Sequence, residues 1–279
     1  MRLILATLLL SLLSACSTTR IAYDNADLYL RWRIGTFLDV EGAQSDELDE
    51  RIEDFMVWHR AHALPQYVEI LEDAARRLER GLTQQDAVWA HDTFLAQARA
   101  SLIAGTERLA PLLDRLSGEQ LKYLERGIAS DNRRFAREQL RGSAAERRER
   151  RAVRVVERME DWMGRLTLAQ VERIRLFSER APLTSDLRQR DRQRLQADVV
   201  AILRARQAQK RLAERIAYWQ TGQDPALAAA NDAFRSEANA LTVDLDRLMT
   251  AEQRARAVGQ MRRLAQELRA IAARRARVS

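Results

Sequence analysis

The chain has 279 residues, of which 46% are hydrophobic and 31% charged, so it can bury a core and is not a disordered tail. Glycine and proline together number only 14, about 5% against roughly 12% in average proteins, which argues against turn-rich sandwiches and propellers and for long helices. The formal net charge is +7, and the single cysteine, Cys16, excludes a disulfide framework and a cysteine-based zinc site.

The N-terminus has the features of a secretory signal. Arg2 precedes an eleven-residue apolar run over 3–13, and small residues follow it. This run is too short to span a bilayer as a helix, because a span takes about 20 apolar residues. Residues 1–15 are therefore predicted to be a signal peptide, and residues 16–21 a lipidated anchor with a short tether.

The residues around the cysteine, Leu13-Ser14-Ala15-Cys16, resemble the bacterial lipobox. The resemblance implies that the Cys16 thiol carries diacylglycerol, that cleavage follows Ala15, and that the new amine is acylated, for instance by palmitate. In this lipoprotein class Asp after the cysteine usually retains a protein in the inner membrane, whereas this chain has Ser17. The predicted location is therefore the periplasmic face of the outer membrane. The alternative is an ordinary secretion signal with an incidental cysteine.

From residue 22 onward helical periodicity dominates, and no sustained alternating run predicts a strand. Capping boxes predict helix starts at Ser117, Ser143, Thr167 and Thr250, with further N-caps at Thr83 and Asp224. The sequence predicts one all-α periplasmic domain over 22–279, an elongated irregular bundle or array of about ten antiparallel helices, some long, without a β-sheet. The predicted helices are 22–38, 44–63, 65–80, 83–109, 117–141, 143–165, 167–180, 184–221, 224–248 and 250–276.

Charge is distributed unevenly along the chain. Residues 39–54 hold eight acids and one arginine, whereas 254–279 hold eight arginines and one acid. One interpretation is that the basic residues of the last helix form a solvated face, which either pairs with the acidic segment or stays unpaired. The other is that they form a binding face for anionic lipid, peptidoglycan or an envelope protein. Nucleic acid is excluded as a partner by the export signal. The candidate basic face comprises Arg262, Arg263, Arg269, Arg274 and Arg275.

The first predicted helix is apolar nearly all round. Such a helix is either a central core element or an interfacial element with aromatic side chains at head-group depth. Only five residues separate it from Cys16, about 17 Å at full extension, so it is predicted to lie close to the membrane. Its candidate membrane-proximal residues are Tyr23, Tyr29, Trp32 and Phe37.

Catalytic chemistry finds little support in the sequence. His59 and His62 are spaced to share a metal on a helix, but no third ligand is evident nearby, and a packed histidine pair is the alternative. There is no nucleophile elbow, P-loop or dinucleotide-binding turn. We therefore predict no enzymatic activity, no resident metal and no cofactor.

Two resemblances extend this interpretation. Three stretches, Arg20-Ile21-Ala22-Tyr23-Asp24-Asn25-Ala26-Asp27, Trp58-His59-Arg60 and Leu64-Pro65-Gln66-Tyr67, resemble an uncharacterised lipoprotein family of Gram-negative bacteria, a domain of unknown function, over nearly the whole chain. Leu166-Thr167-Leu168-Ala169-Gln170 resembles the Leu-Thr-x-x-Gln motif of small, Spy-like periplasmic stress chaperones. The predicted function is thus an outer-membrane envelope binding or accessory factor; the alternative, implied by the second resemblance, is a holdase for unfolded envelope proteins.

Replacement of Cys16 by Ser tests the anchor. A hydroxyl does not form the thioether, so we expect labelling with a fatty-acid analogue in cells to disappear in Cys16→Ser. Continued labelling of this variant would contradict the lipoprotein prediction.

Overall fold

A computed structural model describes residues 19–274. Within this range the protein is all-α, as predicted, with eleven α-helices and no strand. Residues 19–24 are also helical and lead into the first of them. The helices are α1 (Ala26–Leu38), α2 (Ala43–Trp58), α3 (Leu64–Arg80), α4 (Gln84–Leu113), α5 (Gly118–Phe135), α6 (Ala144–Met163), α7 (Leu168–Arg180), α8 (Ser185–Arg204), α9 (Ala213–Ala217), α10 (Pro225–Leu248) and α11 (Ala251–Ala272).

Helices α2 and α3 form one uninterrupted helical run, although Pro65 was predicted to separate them. A π-helical turn, His59–Ala63, connects them, and the backbone N–H of Leu64 donates to the carbonyl of His59. In a regular helix the ring of Pro65 would clash with the carbonyl four residues earlier, and its missing N–H would leave that carbonyl unpaired. The wider turn just before it lets the helix continue.

The buried side chains form two regions. One core packs α3, α6, α7, α10 and α11 around Ile174 and Phe177. The other consists of two adjoining clusters, which bring together α1, α2, α4, α5 and α8 around Leu48, Leu112 and Leu203. Helices α3 and α11 lie antiparallel and make the most extensive helix–helix contact.

All the predicted N-caps are present. The capping boxes at Ser117, Ser143, Thr167 and Thr250 are complete, and Thr83 forms a fifth with Asp86. At α10 the Asp224 side chain accepts the N–H of the second helical residue, directly after Pro225. These starts are local interactions, so residue types at fixed spacing sufficed to predict them.

Two capping glutamines also join distant helices. Gln170 and Gln253 begin α7 and α11, and each side-chain oxygen accepts the backbone N–H of its own N-cap threonine. Each side-chain amide nitrogen donates to the other glutamine's oxygen, at 2.8 and 3.0 Å, and to a backbone carbonyl at the neighbouring joint. Both residues are buried. The pair therefore satisfies both helix starts and fixes their mutual position.

Gln120 repeats this arrangement at the start of α5. Its oxygen accepts the backbone N–H of Ser117, and its nitrogen donates to Gln44 Oε1 at 2.6 Å and to the carbonyl of Asp39 at 3.0 Å. The loop after α1 and the start of α2 are thereby tied to the joint between α4 and α5.

The predicted long helix over 184–221 is wrong. Helix α8 ends at Arg204, Arg206 adopts a left-handed φ of 52°, and the chain resumes in a π-helical turn, Ala208–Leu212. Asp114, from the joint after α4, accepts the backbone N–H groups of Ala208 and Gln209 at 2.5 and 3.2 Å. This cap comes from a residue 94 positions away, so local sequence patterns do not reveal it.

Gln170→Leu should lower the free energy of unfolding by about 1–3 kcal/mol, because it leaves the buried Gln253 amide without its partner. The double variant with Gln253→Leu should lose less than the sum of the two single losses. Denaturant unfolding measures both quantities. Gln85→Leu, at an exposed position in the first turn of α4, is the matched control and should stay within about 0.5 kcal/mol of wild type. Strict additivity of the two losses would contradict a coupled pair.

Candidate functional site

Helix α1 is apolar on two opposite faces. Its inner face carries Tyr23, just before the helix, with Leu30 and Ile34, and these pack against the core residues Leu48 and Ile52 of α2. Residues spaced by seven and four positions share one side of a helix, which explains this inward row. The sequence left two alternatives for this helix, a core element or an interfacial element. The inner face shows that it is a core element on that side.

The outer face carries a row of exposed large apolar side chains. Ile21, Leu28, Tyr29 and Trp32 are 58%, 56%, 60% and 63% exposed, and the rings of Tyr29 and Trp32 lie 5.9 Å apart. We call these four residues the outer stripe. Single exposed apolar residues are ordinary, whereas four of them within residues 21–32 make this segment a candidate interaction surface.

The four predicted membrane-proximal residues thus divide into two groups. Tyr29 and Trp32 belong to the outer stripe. Tyr23 is half-buried, and Phe37 lies beneath the guanidinium of Arg33, which is 4.7 Å from its ring centre. Phe37 also packs against Gly127 of α5, where an added Cβ would come within 2.9 Å of the ring. Tyr23 and Phe37 therefore pack against the rest of the fold as partly buried side chains and do not belong to the outer stripe.

An aromatic cluster surrounds His59 at the start of the π-helical turn. The Tyr23 hydroxyl lies 3.1 Å from His59 Nδ1, and the rings of Phe55 and Tyr67 lie 5.6 and 6.2 Å from the imidazole. Burial lowers the pKa of His59 and raises the pKa of Tyr23, because both would lose hydration of their charged forms. The neutral imidazole is thus the form that the cluster favours.

His62 lies in different surroundings. Its ring stacks on Trp58 at 5.7 Å and an interplanar angle of 12°, it is exposed, and its Nδ1 lies 3.1 Å from the Trp58 carbonyl oxygen. Within residues 19–274 no group of three histidine, cysteine, aspartate or glutamate side chains is arranged to hold a metal ion. The described contacts of His59 and His62 are with aromatic side chains and a backbone carbonyl.

Much of the candidate basic face is paired with acids of other helices. Arg262 and Arg269 of α11 contact Glu79 and Glu72 of α3 at 2.7 and 2.6 Å. The partners are thus acids of the neighbouring helix and not the 39–54 segment that the sequence suggested. Exposed pairs of this kind contribute about 0–1 kcal/mol each, so they orient the helices more than they stabilise them.

The ends of the predicted face have separate outcomes. Arg274 pairs with Asp24, ahead of α1, at 3.1 Å, and so ties the end of the last helix to the N-terminal segment. Arg263 is exposed on α11. Arg275 and the predicted lipidation site, Cys16, lie outside the described residues.

In the described part of the chain, none of the helices combines the length and hydrophobicity that a membrane span requires. Residues 36–224 match a protein family of unknown function, DUF6279, and the chain belongs to this family. The match includes the Trp58-His59-Arg60 and Leu64-Pro65-Gln66-Tyr67 stretches, and it begins after the outer stripe. No curated protein and no solved structure shows significant similarity to the chain.

Sequence reasoning did not pair Tyr23 with His59, which are 36 positions apart. His59 lies within the residues that match the family, whereas Tyr23 precedes them, so the match does not link the two residues. The separation of α1 into an inner and an outer apolar face was also missed, because periodicity alone does not reveal which side of a wholly apolar helix faces the core.

Stability should depend on pH through His59. Because burial lowers the pKa of His59, the folded state binds the proton less readily than the unfolded chain, whose histidine titrates near about 6.5. The free energy of unfolding should therefore fall as the pH drops below about 6.5, and His59→Gln should reduce that fall. Denaturant midpoints at pH 7.5 and 5 measure the effect. His62→Gln is measured beside it as the variant of the exposed histidine, and an unchanged dependence in His59→Gln would contradict the assignment.

Proposed function

We propose that this protein is a lipid-anchored lipoprotein on the periplasmic face of the outer membrane, where it acts as a non-catalytic binding or accessory factor of the envelope. In this proposal α1 lies against the bilayer surface through the outer stripe. The observation that carries the proposal is the exposure of Ile21, Leu28, Tyr29 and Trp32 on one side of the helix that follows the anchor motif.

The chemistry of the outer stripe suits the head-group region of a bilayer. Tyrosine and tryptophan have an apolar ring and a polar group, and they are enriched where hydrocarbon meets water. Ile21 and Leu28 add aliphatic surface, and each Å² of apolar area removed from water contributes roughly 25 cal/mol. The outer stripe therefore supports attachment of a helix that lies on the membrane rather than across it.

The predicted anchor places this surface where it can be used. Ile21 follows Cys16 by five positions, which span at most about 17 Å, and less here because residues 19–21 are helical. A single acyl chain gives only marginal membrane binding, and stable attachment takes a second contribution. Additional acyl chains and the outer stripe would both supply it, and the outer stripe would also fix how the domain is oriented over the leaflet.

Two observations favour binding over catalysis. The described contacts of His59 are with Tyr23 and a surrounding aromatic cluster, and those of His62 are with Trp58. Each histidine is thus engaged in packing and hydrogen-bonding contacts within the fold. The partner is proposed to be an envelope protein, an anionic lipid or peptidoglycan, and Arg263 is an exposed residue of the candidate basic face that such a partner could contact.

The chaperone alternative has one feature in its favour. Leu168, within the Leu-Thr-x-x-Gln motif, is 89% exposed, as a side chain that touches unfolded clients would be. The motif's Gln170, however, is buried and bonded to Gln253, so most of the motif serves the helix joint. A holdase would suppress aggregation of unrelated unfolded proteins at near-equimolar ratios, whereas an accessory factor would retain one or a few partners after crosslinking in cells.

Fluorescence quenching tests the membrane contact directly. The full chain is reconstituted into vesicles that contain brominated lipid, which quenches tryptophans at head-group or acyl depth. We expect quenching in wild type and a marked loss of it in Trp32→Phe, because Trp32 is the tryptophan on the outer stripe. Trp219→Phe is the matched control, since Trp219 lies between α9 and α10 and lines a different part of the protein. Equal quenching in wild type and Trp32→Phe would overturn the proposed orientation.

A further inference from the structure

A cavity of about 470 Å³ lies on the inner side of α1, between α1, α2 and α4. This volume falls within the range of small-molecule sites, roughly 300–1,000 Å³. Its apolar walls are formed by Leu30, Ile34, Ile52, Phe55, Leu102 and Leu109. These residues come from three helices, so the cavity is a feature of the folded protein rather than of one segment.

Small side chains on α4 create the space. Ala98, Ser101 and Gly105 recur at three- and four-residue intervals and face the cavity, so the helix presents a shallow groove there. At Gly105 an added Cβ would lie only 3.4 Å from the Phe55 ring. A larger residue at any of these positions would take up part of the space.

Two of the three hydroxyl groups that line the cavity are satisfied within α4, and the third belongs to Tyr67. Ser101 Oγ donates to the carbonyl of Gln97 at 3.1 Å, and Thr106 Oγ1 donates to the carbonyl of Leu102 at 2.8 Å. Their donors are thus used within α4, and the groove offers a ligand mainly apolar contact. A polar ligand would lose its hydrogen bonds to water here without replacing them.

One full charge lines the cavity. Among the described residues around it there is no carboxylate, and Arg51 supplies the positive charge. Arg51 contacts Glu47 through one terminal nitrogen at 3.2 Å, and Glu47 also pairs with Arg115, so these three side chains keep a net charge of +1. The Arg51 side chain is 34% exposed, so an anionic group in the cavity would make a further charge-assisted contact with its guanidinium.

We propose that this cavity binds a free long-chain fatty acid, with the acyl chain along the α4 groove and the carboxylate at Arg51. A single linear chain fits a groove whose walls are mainly apolar and whose α4 hydroxyls are occupied. The single negative charge of the head group complements the net charge of +1 that Arg51 and Arg115 keep beside Glu47, and an uncharged lipid or a dianionic phosphate matches it less well. This proposal adds a ligand to the proposed function, but the evidence for it is the set of residues that line the cavity and does not depend on the membrane contact.

Photocrosslinking tests the site in the full chain reconstituted in vesicles. Palmitic acid that carries a diazirine on its chain is added, the sample is irradiated, and labelled peptides are mapped by mass spectrometry. We expect label on the α4 segment around Ser101 and Gly105, and excess unlabelled palmitic acid should remove it. Label confined to the outer stripe, or label that palmitic acid does not displace, would overturn the proposal.

Two variants test the binding mode. Ala98→Leu should reduce labelling of α4 several-fold by filling the groove, whereas Ala100→Leu, an exposed position on the same helix, should leave it unchanged. Arg51→Gln should weaken labelling by the acid about tenfold, the effect of losing one charge-assisted hydrogen bond, and should leave labelling by the matching fatty alcohol unaltered. Equal loss for acid and alcohol in Arg51→Gln would refute the role of the carboxylate.

Two further outcomes distinguish a free fatty acid in the cavity from an unfolded variant and from the protein's own anchor. Should Ala98→Leu lose its helical circular-dichroism signal, Ser101→Leu and the competition experiment decide the same question. Label on α4 that appears only when the photoreactive chain is attached biosynthetically at Cys16 would mean that the anchor itself fills the cavity, and would overturn binding of a free acid. The quenching of Trp32 does not depend on any of these labelling experiments. The membrane contact therefore stays testable if fatty-acid binding fails, and fatty-acid binding stays testable if the membrane contact fails.

Discussion

The uninterrupted helical run from Ala43 to Arg80 is the constraint on which the rest of the structure depends. Its first half contributes Leu48 and Ile52 to the core beneath α1, and its second half contributes Ala75 and Leu78 to the core shared with α11. A break at Pro65 would separate these two regions, and the π-helical turn prevents it. His59 is the first residue of this turn and lies in the aromatic cluster. The π-helical turn therefore both continues the helix past Pro65 and positions a residue of the candidate site.

The sequence predicted the features of the fold that depend on neighbouring residues. Capping at Thr167 or Ser117 involves groups three positions apart, so residue type and spacing were sufficient. The features it missed depend on distant residues. Asp114 caps the backbone at the break in the predicted helix over 184–221, although it lies 94 positions away from Ala208. Tyr23 contacts His59, which lies 36 positions further along the chain. The same limit applies to the candidate site, where aromatic residues of α1 were found but not their division between two faces.

Many arginines contact acids or carbonyl groups within the fold, although the formal net charge of the chain is high. Arg77 contacts Asp73 and Asp86 and stacks on Trp89 at 4.0 Å, while Arg262 pairs across to α3. Among residues 19–274 no carboxylate pairs with Arg151; its guanidinium donates to three carbonyls at the end of α7, and burial lowers its pKa. Helix C-termini carry partial negative charge, which makes such capping favourable. Much of the basic composition is therefore used within the fold.

Helix α1 joins the two proposals through its geometry. The outer stripe, with Leu28 and Trp32, and the cavity wall, with Leu30 and Ile34, occupy opposite sides of the same helix. A helix with its side chains is about 10 Å across, so a fatty acid in the cavity would lie one helix away from the proposed bilayer contact. Any movement of α1 that opened the cavity would have to break the Tyr23–His59 contact or the pair between Arg31 and Asp49. Ligand entry and membrane contact would then both depend on the position of α1. Ligand binding would change the free energy of membrane binding, and membrane binding would change the free energy of ligand binding by the same amount.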